Sequence, residues 1–76
     1  MNTYHLVKQI PGWVLKAEGT GKIILSDKNK QPLIDKLNFH FSFRKEIASV
    51  RIHDEWGKFQ EERTYPKSAD PFPPKG

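Results

Sequence analysis

Seventy-six residues with a net charge of +4 and no cysteine make one small domain, able to bury only about 60% of the surface its unfolded chain exposes. Neither a disulfide nor a thiolate zinc site can reinforce it, so stability rests on a single core of Val, Ile, Leu, Phe and Trp. A core of this size leaves no room for the deep pocket of a multistep enzyme, and no apolar run approaches the roughly 20 residues of a membrane span.

The N-terminal MNTYHLVKQ has neither the basic nor the apolar region of a signal peptide. A cytoplasmic, non-enzymatic protein without a cofactor, metal or membrane association is expected, and no small-molecule substrate is evident. The charge is uneven. Residues 1–53 carry nine Lys/Arg against four Asp/Glu, and residues 54–76 carry four against five. A body of +5 with an end of −1 suits an anionic partner such as nucleic acid, although solvated lysines that serve solubility give the same balance.

In chain order, residues 4–10 read as a strand, with Tyr4, Leu6 and Ile10 on one alternation and His5 and Val7 on the other. Pro11-Gly12 makes a turn. Residues 13–18 form a second strand with Trp13, Leu15 and Ala17 on one side. Gly19-Thr20-Gly21 supplies a hairpin loop, and residues 22–25 a short third strand, completing an antiparallel meander. The GTGK of this loop lacks the first glycine of a phosphate loop, where Leu15 or Lys16 stands. Ile23 also replaces the magnesium-binding hydroxyl, so a hairpin turn is the better reading.

Ser26 or Asp27 caps a helix expected over 30–45, with Pro32 in its first turn. Leu33, Ile34, Leu37 and Phe41 form its apolar stripe. Phe39, Phe41 and Phe43 also alternate as on a strand. The helix is preferred because a sheet needs a second layer, and it leaves Phe39 or Phe43 unusually exposed. Ala48, Val50 and Ile52 alternate with Ser49, Arg51 and His53 on a half-buried strand. Asp54-Glu55-Trp56-Gly57 is a hairpin connection, and 58–65 is a polar edge strand that Pro66 ends. The expected fold is α+β: a small antiparallel sheet with elements in the order β-β-β-α-β-β and one helix on one face. The domain spans 1–65, and a proline-rich tail spans 66–76.

Three groups of residues carry candidate chemistry. KLNFHFSFRK at 36–45 interleaves rings with cations, as single-strand binders do, but lacks the glycine-bearing signature of RNA-recognition sheets. On a helix, Lys36, His40 and Arg44 make a basic ridge that either touches phosphates or is solvated. Of His5, His40 and His53, two on neighbouring strands could meet and bind a metal, but a competent site needs three or more convergent ligands, and His53-Asp54 has no nucleophile at an interpretable spacing. They are expected to be solvent-facing. In the tail, PFPPK contains P-x-x-P, suited to an aromatic groove or to folding back with Phe72 on the body.

Gly12-Trp13, Val50-Arg51-Ile52-His53, Asp54-x-x-Gly57-x-x-x-Glu61-Glu62-Arg63-Thr64-Tyr65-Pro66 and Asp70-Pro71 together resemble the small bacterial family called domain of unknown function 2188. The likeness runs from Tyr4 to Gly76 and is most specific in the C-terminal third. It implies a single α+β domain with strands before and after one helix, and it brings no activity, cofactor or catalytic residue. Its middle departs from the pattern, with three phenylalanines where such proteins look alanine-rich.

Glu61, Arg63 and Tyr65 share one face of a strand, so Glu61 and Arg63 can pair. Tyr65 can stack under a returning tail and reach Asp70, making with Phe72 a structural clasp. Two functions are therefore carried forward. The first is a nucleic-acid-binding module using Lys8, Lys16, Lys22, Lys36, His40, Arg44 and Arg51. The second is a protein-interaction or self-association module acting through an exposed edge strand or the tail.

Overall fold

The computed structural model describes residues 2–42 and 47–65. Its elements are β1 (Asn2–Gln9), β2 (Gly12–Ala17), β3 (Ile23–Asp27), α1 (Lys30–Ser42), β4 (Ala48–His53) and β5 (Phe59–Tyr65). This is the α+β element order read from the sequence. The five strands form one sheet in the order β3-β2-β1-β4-β5.

The expectation of a wholly antiparallel sheet needs correcting at its centre, where β1 and β4 run parallel. The reason is the helix. After β3, α1 carries the chain back along the sheet, so β4 enters beside β1 in the same direction. Burial selects that slot: Leu6, Val50 and Ile52 are fully buried, whereas the polar β5 and the less buried β3 occupy the edges. The remaining three pairings are antiparallel.

Alternation sorts the strands into two faces. Leu6, Leu15, Ala48, Val50, Ile52 and Tyr65 meet the helix stripe Leu33, Ile34, Leu37 and Phe41 in one core. The Phe41 ring lies between Tyr4 (centroids 5.3 Å apart) and Tyr65 (5.7 Å, near-parallel). Phe39, on the same helix, is 72% exposed, as the helical register requires; Phe43 lies outside the described residues.

The helix start differs slightly from expectation. Asp27 accepts the Asn29 N–H at 3.1 Å two residues ahead of the first turn and holds the Lys36 ammonium at 2.8 Å. The Lys36 bond, followed by the Asn29 N–H, keeps the Asp27 carboxyl below its ordinary range. Lys30 lies over the Trp13 ring, 4.9 Å from its centroid. Gly12 is demanded by packing as well as by the turn, since a Cβ there would stand 2.4 Å from the Asp27 carbonyl oxygen.

Candidate functional site

The helix covers one side of the sheet. Among the described residues no element packs on the other, so its side chains form an open face. Register places Lys16 on β2, His5 on β1 and Arg51 on β4 directly side by side, at the roughly 4.8 Å strand spacing. Glu62 on β5 continues the row opposite Arg51. On one side of this row lie the hydroxyls of Thr3, Ser49 and Thr64, which are also register partners. On its other side lie Val14, Val7, His53 and Phe59.

Phe59 reaches this face through a register shift after Ile52, which brings it opposite His53. The two rings meet edge to face at 6.2 Å. A bulge thus re-aims an aromatic side chain onto the open side.

Polar contacts hold the face in shape. Ser49, which is buried, donates its hydroxyl to Glu62 at 2.8 Å, and the other Glu62 oxygen lies 3.7 Å from the Arg51 guanidinium. Lys16 makes no ion pair with any described residue. His5 and His53 touch through ring nitrogens 3.0 Å apart. The Asp54–Gly57 connection beside them is closed by Asp54 Oδ1, which accepts the Trp56 N–H at 2.9 Å and the Lys58 N–H at 2.8 Å. The Lys58 N–H is the main cause that holds the Asp54 carboxyl below its usual range. Gly57 completes the turn at φ 86°, a conformation that favours glycine.

The structure divides the seven cationic candidates. Lys16 and Arg51 stand together on the open face. Lys8 has the opposite parity, beside Trp13. Lys22 is exposed in the β2–β3 loop, next to Ile23, the register partner of Lys16. Lys36 and His40 are on α1, the first paired to Asp27 and the second edge-on to Phe41 at 4.8 Å. Arg44 lies outside the described residues. Sequence reading missed His5, His53 and Phe59 as neighbours of Arg51. Strand parity marked His5 and His53 as outward-facing, but nothing local marked the bulge.

The clasp divides as well. Glu61 and Arg63 do pair, through contacts of 3.1 and 3.3 Å, and that bond is the first cause raising the Arg63 guanidinium above its ordinary value. Tyr65, by contrast, is a core residue buried against Phe41. Asp70, Phe72 and the rest of the tail, including the P-x-x-P stretch, lie outside the described residues.

Elsewhere, an apolar groove of about 580 Å³ lies between the β1–β2 turn and β3, lined by Ile10, Pro11, Val14 and Ile23. Because β1 and β4 are parallel, that turn and the Asp54–Gly57 connection share one end of the sheet. Ile10 there is 86% exposed and Trp56 79%. Among the described residues no three His, Cys, Asp or Glu side chains gather in a metal-ligating group, and no helix is long and apolar enough to cross a membrane. The chain matches no family model, no curated protein and no solved structure.

Proposed function

We propose that this is a non-enzymatic binding module whose open sheet face takes single-stranded nucleic acid. The observation that carries the reading is the row Lys16–His5–Arg51 across three adjacent strands, with the His53 and Phe59 rings alongside. Cations at strand spacing can follow a phosphate backbone, and rings beside them offer faces on which bases stack. The net charge of +4 favours the encounter. The reading keeps Lys16 and Arg51 from the cationic set and adds His5, His53 and Phe59.

The test is fluorescence anisotropy with labelled ten-nucleotide DNA and RNA strands at low salt. Saturable binding is expected, weakening steeply as salt rises through counterion release. Arg51→Gln should lower the slope of log K against log salt by about one, and Phe59→Ala should weaken binding with the slope unchanged. Lys8→Gln, on the opposite face of the sheet, serves as the control. Absence of saturable binding to any strand at low salt sinks the reading.

One observation favours assembly as a second reading. β3 and β5 are free edges among the described residues, and two large apolar side chains, Ile10 and Trp56, are exposed at one end of the sheet. Free edges and exposed apolar groups are where chains associate. Light scattering across a hundredfold concentration range decides it: a mass that stays monomeric removes self-association.

A further inference from the structure

His5 and His53 are 48 positions apart in the chain, yet the parallel pairing of β1 with β4 brings His5 Nδ1 to 3.0 Å from His53 Nε2. The outer nitrogens are engaged too. His5 Nε2 lies 2.9 Å from Glu18 Oε1, and His53 Nδ1 lies 3.2 Å from the Gly57 carbonyl oxygen. The result is a chain of three contacts, Glu18–His5–His53–Gly57, and each contact needs one N–H. An ionised carboxylate and a carbonyl oxygen only accept, so both end contacts draw their hydrogens from the rings. Two neutral imidazoles carry two ring hydrogens, and the end contacts consume them. A hydrogen bond between the rings requires a third, and the pair then holds one proton beyond neutrality. A fourth would set N–H against N–H and break the central contact.

We infer that His5 and His53 share this single extra proton, and that it makes the open face a pH-regulated site. With the proton, the pair is a third cation in the row with Lys16 and Arg51; without it, the pair is a neutral spacer. The inference rests on the nucleic-acid reading of that face and names its regulation. Imidazole is the side chain suited to changing charge between pH 5 and 8. Two groups in direct contact take up protons in two separate steps that belong to the pair. Here the first step completes the hydrogen-bonded chain and the second disrupts it.

Charged groups reach the pair from each neighbouring strand. Lys16 on β2 and Arg51 on β4 flank His5 across both ladders. Glu18, just past β2, contacts the His5 ring, and Glu62 on β5 lies 3.7 Å from Arg51. Lys22 stands in the loop that follows Glu18. Phe59 is the β5 neighbour of His53, and Asp54 beyond it accepts the Lys58 N–H. On the face itself two cations are met by two carboxylates. The hydrogen count of the chain, rather than an excess of one sign, therefore sets the state of the pair.

Two measurements on the full chain test this. Nitrogen-15 NMR of the histidine rings from pH 8 to 5.5, without nucleic acid, should show the pair taking up one proton. As it enters, an N–H···N coupling should appear between His5 Nδ1 and His53 Nε2. Glu18→Gln is the discriminating variant. Its amide can donate to His5 Nε2, which frees the His5 ring hydrogen for His53 and satisfies all three contacts with both rings neutral. Ring-to-ring coupling should then be present already at pH 8. Anisotropy with a labelled ten-nucleotide oligothymidylate, whose bases do not titrate in this range, reads the regulation. Binding should be about tenfold tighter at pH 5.5 than at pH 8 in low salt, with the salt slope steeper by about 0.7, the value for one added charge on a single strand. His5→Gln/His53→Gln should lose most of that difference, and His40→Gln should keep it.

Rings that each take up a proton without ever coupling overturn the shared proton, and so does coupling in Glu18→Gln that still waits for low pH. Saturable oligothymidylate binding with equal affinity and slope at both pH values overturns the regulation and leaves the nucleic-acid reading standing. Absence of binding at both pH values removes that reading and the regulation with it, whatever the rings show.

Discussion

The two faces of the sheet are made by the same strands and obey opposite rules. Toward the helix, the central positions are aliphatic or aromatic, and Leu6, Leu15, Val50 and Ile52 are fully buried, while Lys8, Glu61 and Arg63 of the same parity lie at the margins. Toward solvent, the intervening residues are hydroxyls, imidazoles and paired charges. They hold each other at hydrogen-bond distance and bury little beyond Ser49 and Val14. One face is an energetic commitment, and the other is free to vary for binding. Substitutions on the first should cost stability, and those on the second should change what the protein holds.

Phe41→Ala tests the covered face most severely. Its ring is sandwiched by Tyr4 and Tyr65, so removal opens a cavity as well as losing transfer energy. A loss of about 3–5 kcal/mol is expected in urea unfolding. For a domain this small, that approaches the whole stability. A loss below about 1 kcal/mol would mean that the helix is not the second layer. Gly12→Ala comes next. The added Cβ meets a backbone carbonyl rather than a flexible side chain, so β3 must move away, at a cost of about 1–3 kcal/mol.

Ser49→Ala strikes the one buried polar residue of the open face among the described residues. It removes the donor to Glu62 and leaves that carboxylate to the guanidinium and water, a loss of about 1 kcal/mol. Arg51→Gln, a few ångströms away, should stay within about 0.5 kcal/mol of the parent protein, since its ion pair is exposed and long. If Arg51→Gln destabilises more than Ser49→Ala, the division of labour between the faces is wrong.

How much of this was legible depends on the range of the signal. The helix could be read because Leu33, Ile34, Leu37 and Phe41 repeat at its period, although the competing alternation of phenylalanines had to be settled by the need for a covering layer. Outward alternation on β1 and β4 was legible for the same local reason. The parallel pairing of β1 with β4 was not, because it depends on where a helix returns the chain. Once that pairing is known, His5 opposite Arg51 puts His53 one step along the same face. Tyr65 was read as part of a clasp because its parity with Val50 and Ala48 was hidden until β5 had a partner.

The smallest expected effect concerns pH and distinguishes the connections from both faces. Asp27 and Asp54 each accept local N–H bonds, Asp27 also holds Lys36, and both carboxyls lie below the ordinary value of 3.8. A group whose folded-state value is depressed contributes stability that is complete above its unfolded value. That contribution is lost as pH falls through the folded value. Stability should therefore be flat with respect to these two groups at neutral pH and decline below about pH 4. Both are exposed, so the decline should be shallow. In Asp54→Asn the amide oxygen can still accept the Trp56 and Lys58 N–H bonds, but it no longer titrates. Thermal melts from pH 7 down to pH 2.5 should show a gentler acid slope for this variant than for the parent, with little difference at pH 7. A variant that melts early at pH 7 with the acid slope unchanged would place the role of Asp54 in the shape of the turn rather than in its charge.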